Sequence, residues 1–170
     1  MFNQQLAFRR AAPEELATGL RLLKEAALWL HGMDIGYWQE WLAPPDNFVR
    51  WIKRGFDNHE FFIVENESDV IGCFRLQWED AGFWGERNDA AGYLHSFTTT
   101  RHAHGTGKLM LHWIETYCRE NHKDFLRLDC GARNQALRNY YENNGFRPVG
   151  EIMVYQPLVL YEKKLASQIS

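Results

Sequence analysis

An α+β fold, with a mixed sheet carrying helices on its faces, is what this 170-residue sequence predicts. Three observations point to it. Apolar stripes at helical spacing alternate with short β-rich runs, in the order β-α-α-β-β-β-α-β-α-β-β. Apolar residues make up 45% and charged residues 24%, the balance of a globular chain. The length suits one domain with a substantial core, so residues 1–170 are expected to form a single domain.

The elements follow from local signals. "QLAFRRA" (5–11) reads as a short strand. Pro13-Glu14-Glu15 starts a helix, with proline in the first turn and acids facing the positive end of the dipole. Leu16, Leu20, Leu23, Ala27 and Leu30 give that helix one apolar face, and Gly32 ends it. A second helix follows Pro44-Pro45, with Phe48, Val49, Trp51 and Ile52 as its apolar residues. "FFIVENESDVIGCFRLQW" reads as a hairpin around Glu65–Asp69.

"EDAGFWGERNDAAG" is polar and glycine-rich and is expected to be a loop. "YLHSFTTT" (93–100) is a strand. The next helix begins near Gly105 and carries Met110, Trp113, Ile114, Tyr117 and Cys118 on one stripe. "FLRLDC" (125–130) is a strand, Asn134 to Asn144 a short helix closed by Gly145. Two β-rich segments, "RPVGEIMVYQ" and "LVLYEKKL", finish the fold.

Composition narrows the functions. A net charge of −3 argues against a general nucleic-acid binder. No apolar run approaches the roughly 20 residues of a membrane helix, and the first residues lack the order of a secretion signal. A cytoplasmic location with no membrane partner is the expectation. Cys73, Cys118 and Cys130 share no CxxC spacing and read as buried, reduced thiols. Of the seven Trp, Trp29, Trp38, Trp41 and Trp51 crowd the first third, as core or as an aromatic wall around a ligand.

The stretch "TTTRHAHGTGKLMLHWIE" (98–115) bears most directly on function. Gly105-Thr106-Gly107 sits where a strand ends and a helix begins. Free N–H groups and the helix dipole there favour an anion, and glycine admits it closely. That suits phosphate or pyrophosphate, against a plain tight turn. A Walker loop is excluded, since His102 stands where its first glycine belongs. A dinucleotide fingerprint is excluded by Met110. No acid or thiol near His102 and His104 has ligand spacing, so no metal is expected. His112 is off the apolar stripe and is expected to face outward.

His102-Ala103-His104-Gly105-Thr106-Gly107, with Asn134 and Tyr141-Glu142-Asn143-Asn144-Gly145-Phe146 downstream, resembles the Gcn5-related N-acetyltransferase (GNAT) family. That family's coenzyme motif is Arg/Gln-x-x-Gly-x-Gly/Ala, and the departure is His102 in place of Arg or Gln. With the strand–helix order, the resemblance covers nearly the whole chain. It implies a three-layer fold around a mixed, mostly antiparallel central sheet. It implies acetyl-CoA as acetyl donor, bound by His102, Ala103, His104, Gly105, Thr106, Gly107 and Lys108. Phe97, Thr98 and Thr99 would pair with the pantetheine arm, with the Phe97 N–H as oxyanion donor. Asn134 would bind the pantetheine or phosphate region, against a plain helix N-cap.

The implied reaction is direct attack of an amine on the thioester with both substrates bound. It needs a base for the ammonium, which titrates near the lysine reference of about 10.4, and an acid for the thiolate. Tyr141 resembles the family's acid, against a core aromatic. His95 shares a strand face with Tyr93 and Phe97 and titrates near neutrality, so it is the candidate base, against a core histidine, an acid or a water chain. Tyr37, Trp38 and Trp41 are expected to wall the acceptor, with Glu79 and Asp80 attracting its cation. Those acids favour a small-molecule amine or a protein terminus as acceptor. A non-catalytic acetyl-CoA sensor and O-acetyl transfer are the competing readings. "LVLYEKKL" could serve a homodimer.

Overall fold

The computed structural model describes residues 6–67, 69–101 and 105–166. His102, Ala103 and His104 lie outside the described residues. Seven strands lie in the order β1-β2-β3-β4-β5-β7-β6: β1 Leu6–Arg10, β2 Phe61–Asn66, β3 Asp69–Gln77, β4 Ala91–Thr99, β5 Phe125–Gly131, β6 Arg147–Met153 and β7 Pro157–Lys164. The pairings β1–β2, β2–β3, β5–β7 and β6–β7 are antiparallel, and β4–β5 is parallel. The helices are α1 Leu16–Gly32, α2 Asp46–Asp57, α3 Ala81–Trp84, α4 Thr106–Glu120 and α5 Gln135–Asn143. The mixed, mostly antiparallel sheet with helices is thus observed. One element departs from expectation: the polar stretch after β3 contains the one-turn helix α3.

Two compact units share the chain. The first comprises residues 1–76 and 96–104, the second residues 77–95 and 105–170. In the first, the α1 stripe buries Leu22, Leu23 and Ala27 with Trp41, Ile52, Phe56, Phe61, Ile63 and Cys73. Leu16 and Leu20 pack partly buried against the same cluster. Burying a large apolar side chain contributes about 1.5–3 kcal/mol, so this cluster contributes substantially to the unit's stability. Gly19 is required there, because a Cβ would stand 2.6 Å from the Phe56 ring.

In the second unit, α4 buries Met110, Leu111, Ile114 and Cys118, close to the expected stripe. Trp113 and Tyr117 are only half-buried, and they stack at 5.0 Å, with Trp78 continuing the stack at 6.1 Å from Tyr117. Gly145 closes α5 at φ 87°, the left-handed conformation expected of it.

The parallel pairing of β4 with β5 positions the site. Its register runs from Ala91↔Phe125 to Tyr93↔Arg127 and Leu94↔Leu128. Arg127 is buried, and its guanidinium reaches Tyr93 Oη at 2.9 Å, Glu162 Oε2 at 2.8 Å and Asp89 Oδ1 at 2.8 Å. Its Nη2 also bonds Asp89 Oδ2. Trp84 and Phe125 face the same guanidinium, 5.1 and 5.3 Å from their ring centres. Beyond Leu94 and Leu128, the next residues on the two strands are His95 and Asp129.

Candidate active site

The site is built from three features of the second unit. The first is the start of α4. Gly105 adopts φ 80°, and a Cβ there would meet nothing within 4 Å. The left-handed turn delivers the chain into a 15-residue helix whose first N–H groups have no partner within the helix. Thr106 is fully buried, yet its Oγ1 has no hydrogen-bond partner among the described residues. A buried, unpaired hydroxyl beside a positive helix end fits a phosphate-bearing ligand. Lys108 is exposed one turn along, and His112 is exposed as expected.

The second feature is a cluster around His95. Its Nε2 lies 2.8 Å from Asp80 Oδ2, and its Nδ1 lies 3.5 Å from Asp129 Oδ1. The three side chains are 8%, 8% and 9% exposed respectively, so all three are nearly dry. Phe83 packs against the ring, centroids 4.9 Å apart. Asp80 precedes α3 and its side chain does not cap that helix, which leaves the carboxylate turned to His95. The 3.5 Å contact exceeds a hydrogen bond, and Asp129 Oδ1 is buried without a hydrogen-bond partner among the described residues. Burial pushes the Asp129 carboxyl above the usual carboxylate range; His95 opposes that shift and Asp80 adds to it.

Ser96 follows at φ 52°. The left-handed region costs a non-glycine residue about 1–2 kcal/mol, and it interrupts the regular pleat just after His95. The expected alternation Tyr93–His95–Phe97 therefore holds to His95 and is broken before Phe97. In the first unit, Thr98 is buried while Phe97 and Thr99 are half-buried.

The third feature is α5. Asn134 caps it, its Oδ1 accepting from the Leu137 N–H at 3.1 Å. The cap uses one lone pair of the carbonyl oxygen and leaves the Nδ2 donors to other partners. Tyr141 is buried in edge-on contact with Tyr140 and Phe146. Burial, with Cys130, Tyr140 and Asp129 nearby, raises its phenol well above the usual value. It stays protonated at any working pH, as a proton donor must.

The remaining acceptor candidates separate. Glu79 is exposed while its neighbour Asp80 is turned inward to His95. In the first unit, Trp41 is buried in the core and Tyr37 is buried and stacked on half-buried Trp38 at 5.8 Å. Trp41 is a core residue and presents little surface to a ligand. Asp129 is the residue that sequence reasoning missed. Its signal was an acid two places after Arg127 in an otherwise apolar strand, where a charged group is costly unless it is paired.

Among the described residues, no group of three His, Cys, Asp or Glu could hold a metal ion. The His95 cluster shows why: its carboxylates face opposite ring nitrogens and converge on no common point. Burial holds the Cys73, Cys118 and Cys130 thiols up at about 12, so they are poor ligands and nucleophiles. Among the described residues, no helix is long and apolar enough to cross a membrane.

Comparison with known proteins gives the class to which this fold belongs. The family described as "Acetyltransferase (GNAT) family" matches residues 26–146. The chain belongs to the GNAT acetyltransferase family. It is 26% identical over 163 residues to the uncharacterized N-acetyltransferase YesJ of Bacillus subtilis, covering 91% of this chain and 86% of that one. A GNAT acetyltransferase structure from Listeria monocytogenes superposes with a TM-score of 0.76 at 26% identity, covering 94% and 95% of the two chains. The PaiA N-acetyltransferase of Thermoplasma acidophilum, solved with coenzyme A, shares the fold at a TM-score of 0.63 and 17% identity, over 94% and 99%.

Proposed function

We propose that this protein transfers an acetyl group from acetyl-CoA to a primary amine, of a small molecule or a protein terminus, by direct attack in a ternary complex. The observation that carries the reading is the buried, titratable His95 cluster in a GNAT chain whose α4 opens on a left-handed glycine. A coenzyme-binding sensor needs no such cluster, and the persistently protonated Tyr141 also favours turnover. Acetyl-CoA supplies the activated acetyl thioester. Gly105, Thr106, Gly107 and Lys108 would hold its pyrophosphate by backbone N–H groups, the Thr106 hydroxyl and charge. His102, Ala103 and His104 would complete that cradle, with Asn134 and Phe97 to Thr99 along the pantetheine.

His95 takes a proton from the ammonium, and Tyr141 protonates the departing thiolate. Trp38 and neighbouring Tyr37 are the aromatic candidates for acceptor contact, with Trp41 supporting them from the core. Glu79 is the exposed acid available to attract a cation from solution, while Asp80 acts near His95.

The test begins with melting temperature. Acetyl-CoA at about a hundred times its Kd adds roughly 2.7 kcal/mol, a shift of about 5–10 °C for a chain this size. ATP and zinc are expected to give none. A panel of primary amines is then scored for thiol release, where Tyr141→Phe should lower turnover about 100-fold or more with acetyl-CoA affinity unchanged. A thermal shift without thiol release from any amine would convert the reading to a sensor. No shift at all would remove it.

A further inference from the structure

Two buried phenols meet where α5 packs on the sheet. The rings of Tyr141 on the helix and Tyr161 on β7 lie 6.2 Å apart between centres, inclined at 43°. The Tyr161 hydroxyl accepts from Arg138 Nε at 3.1 Å and donates to Glu142 Oε1 at 2.8 Å. We infer that Tyr161 is a positioning residue for acetyl transfer: by bridging Arg138 and Glu142 it fixes the turn of α5 that presents Tyr141 to the leaving thiolate. The inference rests on the acetyl-transfer reading and deepens it by naming what sets the acid in place.

Residues 138, 141 and 142 stand three and four positions apart on α5, so they are neighbours on one helix face. Arg138 and Glu142 flank Tyr141 there, and a single hydroxyl from the sheet joins both. A guanidinium only donates, so the hydroxyl's own proton is left for Glu142 and the bridge has one direction. Tyr161 is itself held rigidly. Its strand β7 lies between β5 and β6, with Tyr161 opposite Leu128 on one side and Pro148 on the other. A group placed from an interior strand keeps its position better than one placed from a loop.

The two ends of α5 are secured by other groups. Asn134 caps the start, and after the last turn Lys163 Nζ donates to the Asn144 carbonyl at 2.9 Å and to Glu115 Oε1 of α4 at 2.6 Å. Tyr161 therefore governs the turn between them rather than the existence of the helix. It is unsuited to be the acid itself, because supplying a proton to sulfur would give up its bond to Glu142. In the transfer the proton gained by sulfur comes from Tyr141, and Tyr161 keeps its own.

The experiment is a double-mutant cycle scored by thiol release. Tyr161→Phe keeps the ring and removes the hydroxyl, and Arg138 and Glu142, four apart, can then pair with each other. Turnover should fall about 10-fold or more, as expected when a reacting group is misplaced, with the KM for acetyl-CoA unchanged. In a Tyr141→Phe background the same change should cost no more than about 2-fold, because no acid is left to misplace. A full, multiplicative loss in that background would make Tyr161 merely structural and overturn the inference. So would wild-type turnover in Tyr161→Phe.

A second pair of variants decides the matter if Tyr161→Phe does not fold. Glu142→Gln keeps an acceptor for the Tyr161 hydroxyl and should hold turnover within about 3-fold of the wild type, whereas Glu142→Leu removes the acceptor and should lose about 10-fold or more. Equal losses in the two would overturn the bridge. Unchanged turnover in Tyr141→Phe alone is a different failure: it would sink the acid reading itself, and the inference with it.

Discussion

Arg127 lies within the β4–β5 pairing and His95 follows its last pair, and both bring side-chain nitrogens among acids in a nearly dry environment. Their partners differ in one respect. Arg127 is a permanent cation whose guanidinium is matched by two carboxylates and the Tyr93 hydroxyl, between the Trp84 and Phe125 rings. His95 is a titratable base with an acid on each side, one at hydrogen-bond distance and one just outside it. The first arrangement has no proton to move and serves the fold. The second centres on a group that can take up and release a proton, which is what a base needs. Burial of charge alone does not mark a catalytic site; a titratable group held among charge partners is the better sign.

Four substitutions test that contrast. The largest effect should be on chemistry: His95→Gln is expected to lower kcat/KM about 100-fold or more, while changing the melting temperature less than any loss at Arg127. Equal losses in both measurements would make His95 structural. Arg127→Met leaves Glu162 and Asp89 without their cation, and breaking a buried pair costs about 3 kcal/mol or more. The low end applies, because the Asp89 side chain is 38% exposed. Calorimetry should show a fall of about 6–12 °C, with the acid limb of the rate profile unmoved.

Asp89→Asn is milder, about 0.5–1 kcal/mol for a partly exposed pair, and should shrink in 1 M salt. Hydrogen bonds from Arg127 hold the Asp89 carboxyl below its ordinary 3.8. Its contribution is therefore complete above that value and lost as pH falls through the depressed one. The wild-type advantage over Asp89→Asn should be full at pH 6 and gone in strong acid; an advantage that survives acid would refute the pairing.

The smallest effect runs the other way. Asp129 is raised by burial above its ordinary 3.8, so its contribution is complete below that value and is lost as pH rises through the folded one. Asp129→Asn should melt at or above the wild type at pH 7, and the two curves should converge toward pH 4. A variant clearly less stable at pH 7 would make Asp129 a structural residue like Arg127.

Much of this architecture was legible in local signals. The α1 stripe buries Leu23, Ala27 and Leu30 as its spacing requires, and Met110, Ile114 and Cys118 do the same on α4. Gly145 takes the positive φ that ends α5, and Gly105 takes the one that begins α4. The short α3 was missed because a single turn shows no periodicity. Trp41 could not be sorted between core and ligand wall, since aromatic rings suit both. Asp80 was read as an acid for the substrate because nothing in "WED" says that one carboxylate turns inward and its neighbour outward.

Periodicity, capping and glycine placement depend on residues within a few positions of one another, so the sequence by itself determined the order of the longer elements, the stripes and the glycine motif. The His95 cluster joins residues 80, 95 and 129, and the Arg127 cluster joins 89, 93, 127 and 162. Only the parallel register of β4 with β5 brings Tyr93 opposite Arg127 and leaves His95 and Asp129 in contact just past the last pair. Burial then decides their chemistry, because a carboxylate's pKa and the worth of an ion pair depend on how much water the fold leaves around them.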